Sequence, residues 1–266
     1  MMADTGEGAK GPGGQRVVTV GGQPAAYLDA GRGRPVALVH GAGGRGEVWF
    51  PQLTGLGDVA RLLAVDLPGH GATAGQSCRS VDAYAAWLIG LLDAMALERV
   101  ALVGHSMGGA IAQTIALEHS ERLRGLVLVG TGARLRVLPR ILELLRDDPP
   151  AGATLLASLA YSPRTPRGAV IEAERALHAT PPLVTLGDFL ACDRFDVMAK
   201  VGAVRAPTLV LVGRDDRLTP PKYAAFLAAS IRGARLVEIA GAGHFPQLEQ
   251  PAAVNAAMRA FLDALP

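Results

Sequence analysis

Cysteine is scarce in this chain of 266 residues: Cys78 and Cys192 stand far apart, with no metal-ligating neighbours beside either. That scarcity excludes a disulfide-dense secreted scaffold and fits two unpaired thiols in a reducing compartment, with a single bridge between them as the open alternative. An excess of one charge is also missing. The 26 Lys and Arg are interspersed with 24 Asp and Glu, for a formal charge of +2, so neither nucleic acid nor an anionic membrane is an expected partner. No apolar run reaches the roughly 18 residues of a membrane span without a Gly, Pro or charge interrupting it. Residues 1–15 are rich in Gly and polar residues and lack the apolar core of a signal peptide. They read as a flexible leader, and a cytoplasmic location follows by default. Internal repeats are absent as well.

What is present is a chain with half of its residues hydrophobic and 19% charged, long enough for one substantial domain or a domain carrying an insertion. Two β-rich pieces, Arg16 to Val20 and Ala25 to Asp29, flank the turn Gly21, Gly22, Gln23, Pro24 and predict a hairpin. Six short aliphatic runs follow: Val36 to Val39, Leu62 to Val65, Val100 to Val103, Leu126 to Val129, Leu209 to Val212 and Leu236 to Ile239. Their unbroken apolar character suits parallel strands covered on both faces. Helical patterns lie between them, among them Val81 to Met95, Met107 to Glu118 and a closing one from Ala252 to Leu265. The alternation predicts an open α/β sheet. It breaks between 132 and 204, where Leu- and Ala-rich helical pieces are punctuated by prolines. Roughly seventy residues exceed an ordinary connection, which points to a helical lid rather than a crossover. Within it, Thr165 and Pro166 look like an N-cap and first helical position, and Asp188 like the cap of a helix from Phe189.

The chemistry centres on Ser106, in the run Gly104, His105, Ser106, Met107, Gly108, Gly109, between a predicted strand and a predicted helix. Glycines two residues either side of a serine are what a strand turning at once into a helix requires, and the serine itself must take a strained backbone conformation. The turn lifts its hydroxyl into the open and aims the first helical amides at whatever it attacks. A hydroxyl needs a general base, and the base needs a partner that fixes its tautomer. His244, in the loop Gly241 to Pro246 after the last predicted strand, lies at the sheet edge where ligand chemistry concentrates in open α/β sheets. His105 should point away from its neighbour at the turn, while His119 and His178 fall on helical segments. Asp215 and Asp216 follow the strand ending at Val212. One can face the imidazole, and the other is left to turn or N-cap duty. The loop His40, Gly41, Ala42, Gly43, Gly44 can bring backbone amides to a substrate carbonyl, so the amides of Ala42 and Met107 are the candidate oxyanion donors. Trp49 and Phe50, close by, are expected in the core, with a place in the pocket wall as the alternative.

These residues resemble the α/β-hydrolase fold superfamily over nearly the whole chain after the leader. The resemblance rests on the elbow at Gly104 to Gly108, the His40 loop, the turn Asp66, Leu67, Pro68, Gly69, His70, Gly71, the acid loop Gly213 to Pro220, and Gly243, His244, in the order serine, acid, histidine. It implies Asp216 as the acid, three residues past the glycine and four before the proline. It also implies a core formed by 16–131 and 205–266, a helical cap formed by 132–204, and carboxylic ester hydrolysis needing neither metal nor organic cofactor. The likeness is to small capped esterases, lactonases and carbon-carbon bond hydrolases. Non-haem haloperoxidases share the triad, whereas the serine at the elbow disfavours dehalogenase and epoxide hydrolase chemistry. Gly43, Gly44, Arg45, Gly46 depart from the Gly-Pro-Gly element usual in carbon-carbon hydrolases. The apolar pieces Leu155 to Tyr161 and Leu183 to Leu190 suggest apolar, uncharged acyl groups on a small-molecule ester, acted on by a monomer or homodimer.

Two rivals belong to other classes. Gly41 to Gly46 also matches a dinucleotide fingerprint, with Asp66 about twenty residues on, but that reading leaves the Ser106, Asp216 and His244 loops unexplained. A hydrolase-fold protein that only binds a ligand has no need of all three positions.

Overall fold

A computed structural model describes residues 13–266. Among these residues, eight strands form one sheet: β1 (Gly14–Val20), β2 (Gln23–Gly31), β3 (Pro35–Val39), β4 (Arg61–Val65), β5 (Val100–His105), β6 (Leu123–Val129), β7 (Thr208–Gly213) and β8 (Arg235–Ile239). Their order is β1-β2-β4-β3-β5-β6-β7-β8, antiparallel for the first two pairings and parallel from β4 onward. The hairpin turns on Gly21 and Gly22, both at positive φ, and Gln23 already pairs with Val20. β1 begins two residues inside the expected leader, with Gly14 opposite Asp29 and Gln15 opposite Leu28. Positions 1–12 of that leader lie outside the described residues.

The parallel strands are apolar throughout because both faces are covered. Ala37, Val39, Leu102, Leu128 and Val210 pack on one side with α2 (Val81–Ala94), α3 (Met107–Glu118) and α8 (Pro221–Ser230). Leu38, Val103, Val127 and Leu211 pack on the other with α1 (Phe50–Gly55) and α10 (Pro251–Asp263). Trp49 is fully buried in this second layer, as expected of a core residue. Between β6 and β7 stand α4 (Pro139–Asp147), α5 (Pro149–Ala160), α6 (Arg167–His178) and α7 (Pro182–Arg194). No strand interrupts this insertion among the described residues, apart from an isolated bridge between Arg134 and Asp196. A short α9 (Pro246–Glu249) follows the β8 loop.

Two expectations about helix starts are corrected. α6 begins at Arg167 with Pro166 at its N-cap, because the Thr165 hydroxyl is engaged by the Glu249 carboxylate at 2.5 Å. Asp188 caps nothing: it lies inside α7, fully buried. The sheet order reverses between β3 and β5, so the loops leaving these strands open a crevice at their carboxyl ends, where ligands bind in such sheets. Those loops carry His40 to Gly44 and Ser106.

Candidate active site

Ser106 sits between β5 and α3 at φ 53° and ψ −114°, in the left-handed region that a residue with a Cβ avoids, at a cost of order 1–3 kcal/mol. Packing explains why it is held there. A Cβ at Gly104 would overlap the Gly108 backbone, and one at Gly108 would overlap the Val39 and His40 carbonyls. The Ser106 amide donates to the Val129 carbonyl at 2.9 Å, and its own carbonyl accepts from the Thr131 hydroxyl at 2.8 Å. Met107 supplies the first amide of α3, which no earlier helical carbonyl can take. The loop amide of Ala42 likewise meets no acceptor among the described residues.

His244 and Asp216 meet as the sequence suggests. The His244 Nδ1 lies 2.9 Å from Asp216 Oδ2, with both side chains nearly inaccessible to solvent. Asp216 also accepts from the Leu218 amide at 2.9 Å, the Thr219 amide at 2.8 Å and the Thr219 hydroxyl at 2.8 Å. Burial opposes its ionisation. The charge and hydrogen bond of His244, with the Thr219 donors, nonetheless hold its carboxyl below the usual range. A carboxylate on Nδ1 puts the ring proton there and leaves Nε2 as a base. Asp215, the other open choice, accepts instead from the Ser162 hydroxyl at 2.6 Å.

His105 is buried and lies 2.8 Å by its Nε2 from the His244 carbonyl. Burial pushes its pKa down to about 3, so the ring is neutral and Nε2 donates. The His244 amide in turn donates to the Ala160 carbonyl at the end of α5, at 2.5 Å. His119 and His178 are exposed or half-exposed and remote from this cluster.

Ser106, His244, Ala42 and His40 line one cavity of about 760 Å³. The insertion supplies much of its apolar wall, including Leu135, Ile141, Leu156, Tyr161 and Phe189; Arg136, Arg164 and Arg217 also contribute. Leu183, in the second apolar piece, is 81% exposed and faces away, which narrows the expected apolar underside. Met107 contributes only its backbone position, since its side chain is buried in the core. Phe50 is half-buried against the layer that holds Trp49, and neither lines the cavity.

The dinucleotide reading fails on its own residues. Asp66 accepts from the Gly46 amide at 2.7 Å and the Ala72 amide at 2.9 Å, tying two loops of the protein together. Gly43 donates to Asp188. No group of three or more His, Cys, Asp or Glu able to hold a metal occurs among the described residues, and none of the described helices is long and apolar enough to cross a membrane. Cys78 and Cys192 are free thiols.

Sequence reasoning passed over Glu249 and Thr180 and gave Asp188 the wrong role. Glu249 accepts from the amides of Gly243 and Phe245, on either side of His244, and from the Ser162 amide and Thr165 hydroxyl of the insertion. Asp188 and Thr180 both reach the Gly43 backbone. A carboxylate between Leu186 and Phe189 in an apolar helix was the available signal for Asp188.

A mostly parallel sheet with a strained serine at its switch point and a buried histidine-aspartate pair beside the same cavity defines a hydrolase fold. The family model described as "Alpha/beta hydrolase family" matches residues 36–257, and the chain belongs to that family. The chain is 31% identical over 257 residues to the 2-hydroxy-6-oxo-2,4-heptadienoate hydrolase of Pseudomonas putida, covering 88% of this chain and 91% of that one. It is 34% identical over 257 residues to part of the polyketide synthase ThaQ of Burkholderia thailandensis; the match takes in 91% of this chain but spans only 12% of that much longer protein. The solved structure of a thermophilic esterase is 36% identical, with a TM-score of 0.85 over 94% of this chain and 97% of that one.

Proposed function

We propose that the protein is a serine hydrolase that cleaves carboxylic esters of small, mainly apolar substrates through an acyl-enzyme on Ser106. The observation that carries this reading is the Asp216 carboxylate at 2.9 Å from His244 Nδ1, with Ser106 and His244 on one cavity wall. His244 Nε2 takes the Ser106 proton as Oγ bonds to the ester carbonyl carbon, and Asp216 steadies the imidazolium. The amides of Ala42 and Met107 hold the oxyanion. Collapse of the tetrahedral adduct breaks the ester C–O bond, and His244 returns its proton to the departing alcohol. Water, deprotonated by the same ring, then frees the acid and restores the serine. The insertion acts as a cap, and its side chains in the cavity wall suit an apolar acyl group.

Purified protein is expected to turn over p-nitrophenyl esters, with a preference read from a panel of graded chain length. Ser106→Ala should lower kcat by on the order of 10⁴ to 10⁶; most of the activity surviving that change refutes the assignment. A second reading, hydrolysis of a carbon-carbon bond in a carboxylate-bearing dienoate, is favoured by Arg136, Arg164 and Arg217 in the cavity wall and by the 31% identical relative. Turnover of a meta-cleavage dienoate well above that of the esters would select it.

A further inference from the structure

The insertion grips the backbone of the oxyanion loop at a single residue. Gly43 donates its amide to Asp188 Oδ2 at 2.9 Å, and its carbonyl accepts from the Thr180 hydroxyl at 2.9 Å. Both partners belong to the stretch from the end of α6 into α7, and both are buried, Thr180 at 4% exposure and Asp188 at 0%. The same stretch closes over the α-carbon: a methyl group added at Gly43 would lie 3.1 Å from Thr185 Cγ2 and 3.2 Å from Leu177 Cδ2, at a position already at φ +66°. The insertion therefore holds the peptide groups on both sides of Gly43, alongside the turn in which the Gly44 amide donates to the Gly41 carbonyl at 3.1 Å.

Asp188 is itself anchored in the core. Its Oδ2 lies 2.8 Å from His70 Nε2 and its Oδ1 accepts from the Tyr84 hydroxyl at 2.5 Å. The other nitrogen of His70 faces the Pro68 carbonyl at 3.0 Å, so both ring nitrogens meet oxygens, and the ring donates to both when it is the imidazolium. Burial disfavours charge on His70, but the hydrogen bond and charge of Asp188 outweigh it and raise the pKa. A buried carboxylate stripped of such partners is strongly destabilising, so its placement on a helix of the insertion is a constrained feature. Its described partners, Gly43, His70 and Tyr84, all belong to the core.

We infer that Asp188 and Thr180 are positioning residues that set the oxyanion loop from the insertion, so that the Ala42 amide reaches catalytic geometry only when α7 is seated on the core. This inference rests on the proposed acyl-transfer reading for its kinetic consequence, while the mechanical link stands on the contacts alone. An oxyanion donor displaced by a fraction of an ångström loses part of the 10² to 10³ in rate that removing it outright costs.

The test uses the full-length protein with Thr180→Val, which keeps the shape and removes the hydroxyl, alongside Thr180→Ser and Asp188→Asn. Thr180→Val is expected to lower kcat on a short p-nitrophenyl ester about tenfold with KM unchanged, and to weaken inhibition by an alkyl boronic acid, whose adduct is tetrahedral, by the same factor. Thr180→Ser restores both. Hydrogen-deuterium exchange of the peptide covering 40–46 should quicken in Thr180→Val and in Asp188→Asn, with the β5 and β6 peptides unchanged as the check that the fold persists. Unaltered exchange at 40–46 overturns the inference whether or not esters are turned over, as does a rise in KM at constant kcat. An inactive wild type with quickened exchange in the variants would remove the esterase reading alone.

Discussion

Among the described residues stand two buried Asp–His pairs of nearly equal length, 2.9 Å for Asp216–His244 and 2.8 Å for His70–Asp188. They lie in different regions, and the proposed mechanism gives them different work. Asp216 draws its other partners from the adjacent loop, the amides of Leu218 and Thr219, and leaves His244 with its second nitrogen uncommitted beside the cavity. Asp188 draws on Gly43, Tyr84 and His70, all more than a hundred residues away in sequence, and the second nitrogen of His70 is spent on a backbone carbonyl. In the proposed mechanism, what lets His244 act as a base and leaves His70 as a brace is the fate of the second imidazole nitrogen, since a ring bound on both sides has no lone pair to offer.

The sharpest way to break that comparison is the matched pair Asp216→Asn and Asp188→Asn. Asparagine at 216 can present its amide to the ring and stabilise the wrong tautomer, so kcat is expected to fall by on the order of 10⁴ with little change in melting temperature. Asparagine at 188 keeps an acceptor for the Gly43 amide and should cost about tenfold in kcat. Equal losses from the two changes, measured by steady-state ester hydrolysis, would dissolve the distinction.

The two regions also differed in how well the sequence disclosed them. The strands were readable because both faces of the parallel sheet are covered, so Val36–Val39 or Leu209–Val212 carries no polar interruption. The elbow was readable because its glycines answer a local steric demand at Ser106. Asp216 needed the spacing of its loop, since Asp215 offers the same chemistry one residue earlier. Asp188 was misplaced for a physical reason: an Asp ahead of an apolar helical run normally serves as an N-cap, and only contacts across more than a hundred residues keep it mid-helix. Thr165 misled in the same way, with its hydroxyl drawn off by Glu249. β1 began earlier than expected because an exposed edge strand carries no strict apolar alternation; its burial is confined to Val20.

A smaller effect sharpens the contrast through pH. His105 and His40 are held neutral, chiefly by burial, so below about pH 6.5 the unfolded chain binds protons that the native protein does not. Each then lowers stability by about 1.4 kcal/mol per pH unit as pH falls. Asp216, with its depressed pKa, adds stability above the usual carboxylate value that is lost only as pH falls through the depressed one. His70 runs the opposite way: its raised pKa stabilises the fold below the unfolded value, and that contribution is lost as pH rises through the folded one. His105→Asn should therefore make the fall in denaturation free energy between pH 6 and pH 4 shallower by about 1.4 kcal/mol per pH unit. Urea titrations at those pH values check this, and an unchanged slope would mean that His105 is protonated in the fold.

The most direct test of the central claim is covalent. The protein is treated with a stoichiometric alkyl fluorophosphonate, ester hydrolysis is followed, and the modified peptide is located by mass spectrometry. The expected result is one phosphonyl group on Ser106, loss of hydrolysis in proportion to labelling, and no label on the Ser106→Ala variant. Hydrolysis that continues undiminished with Ser106 fully modified would contradict the account.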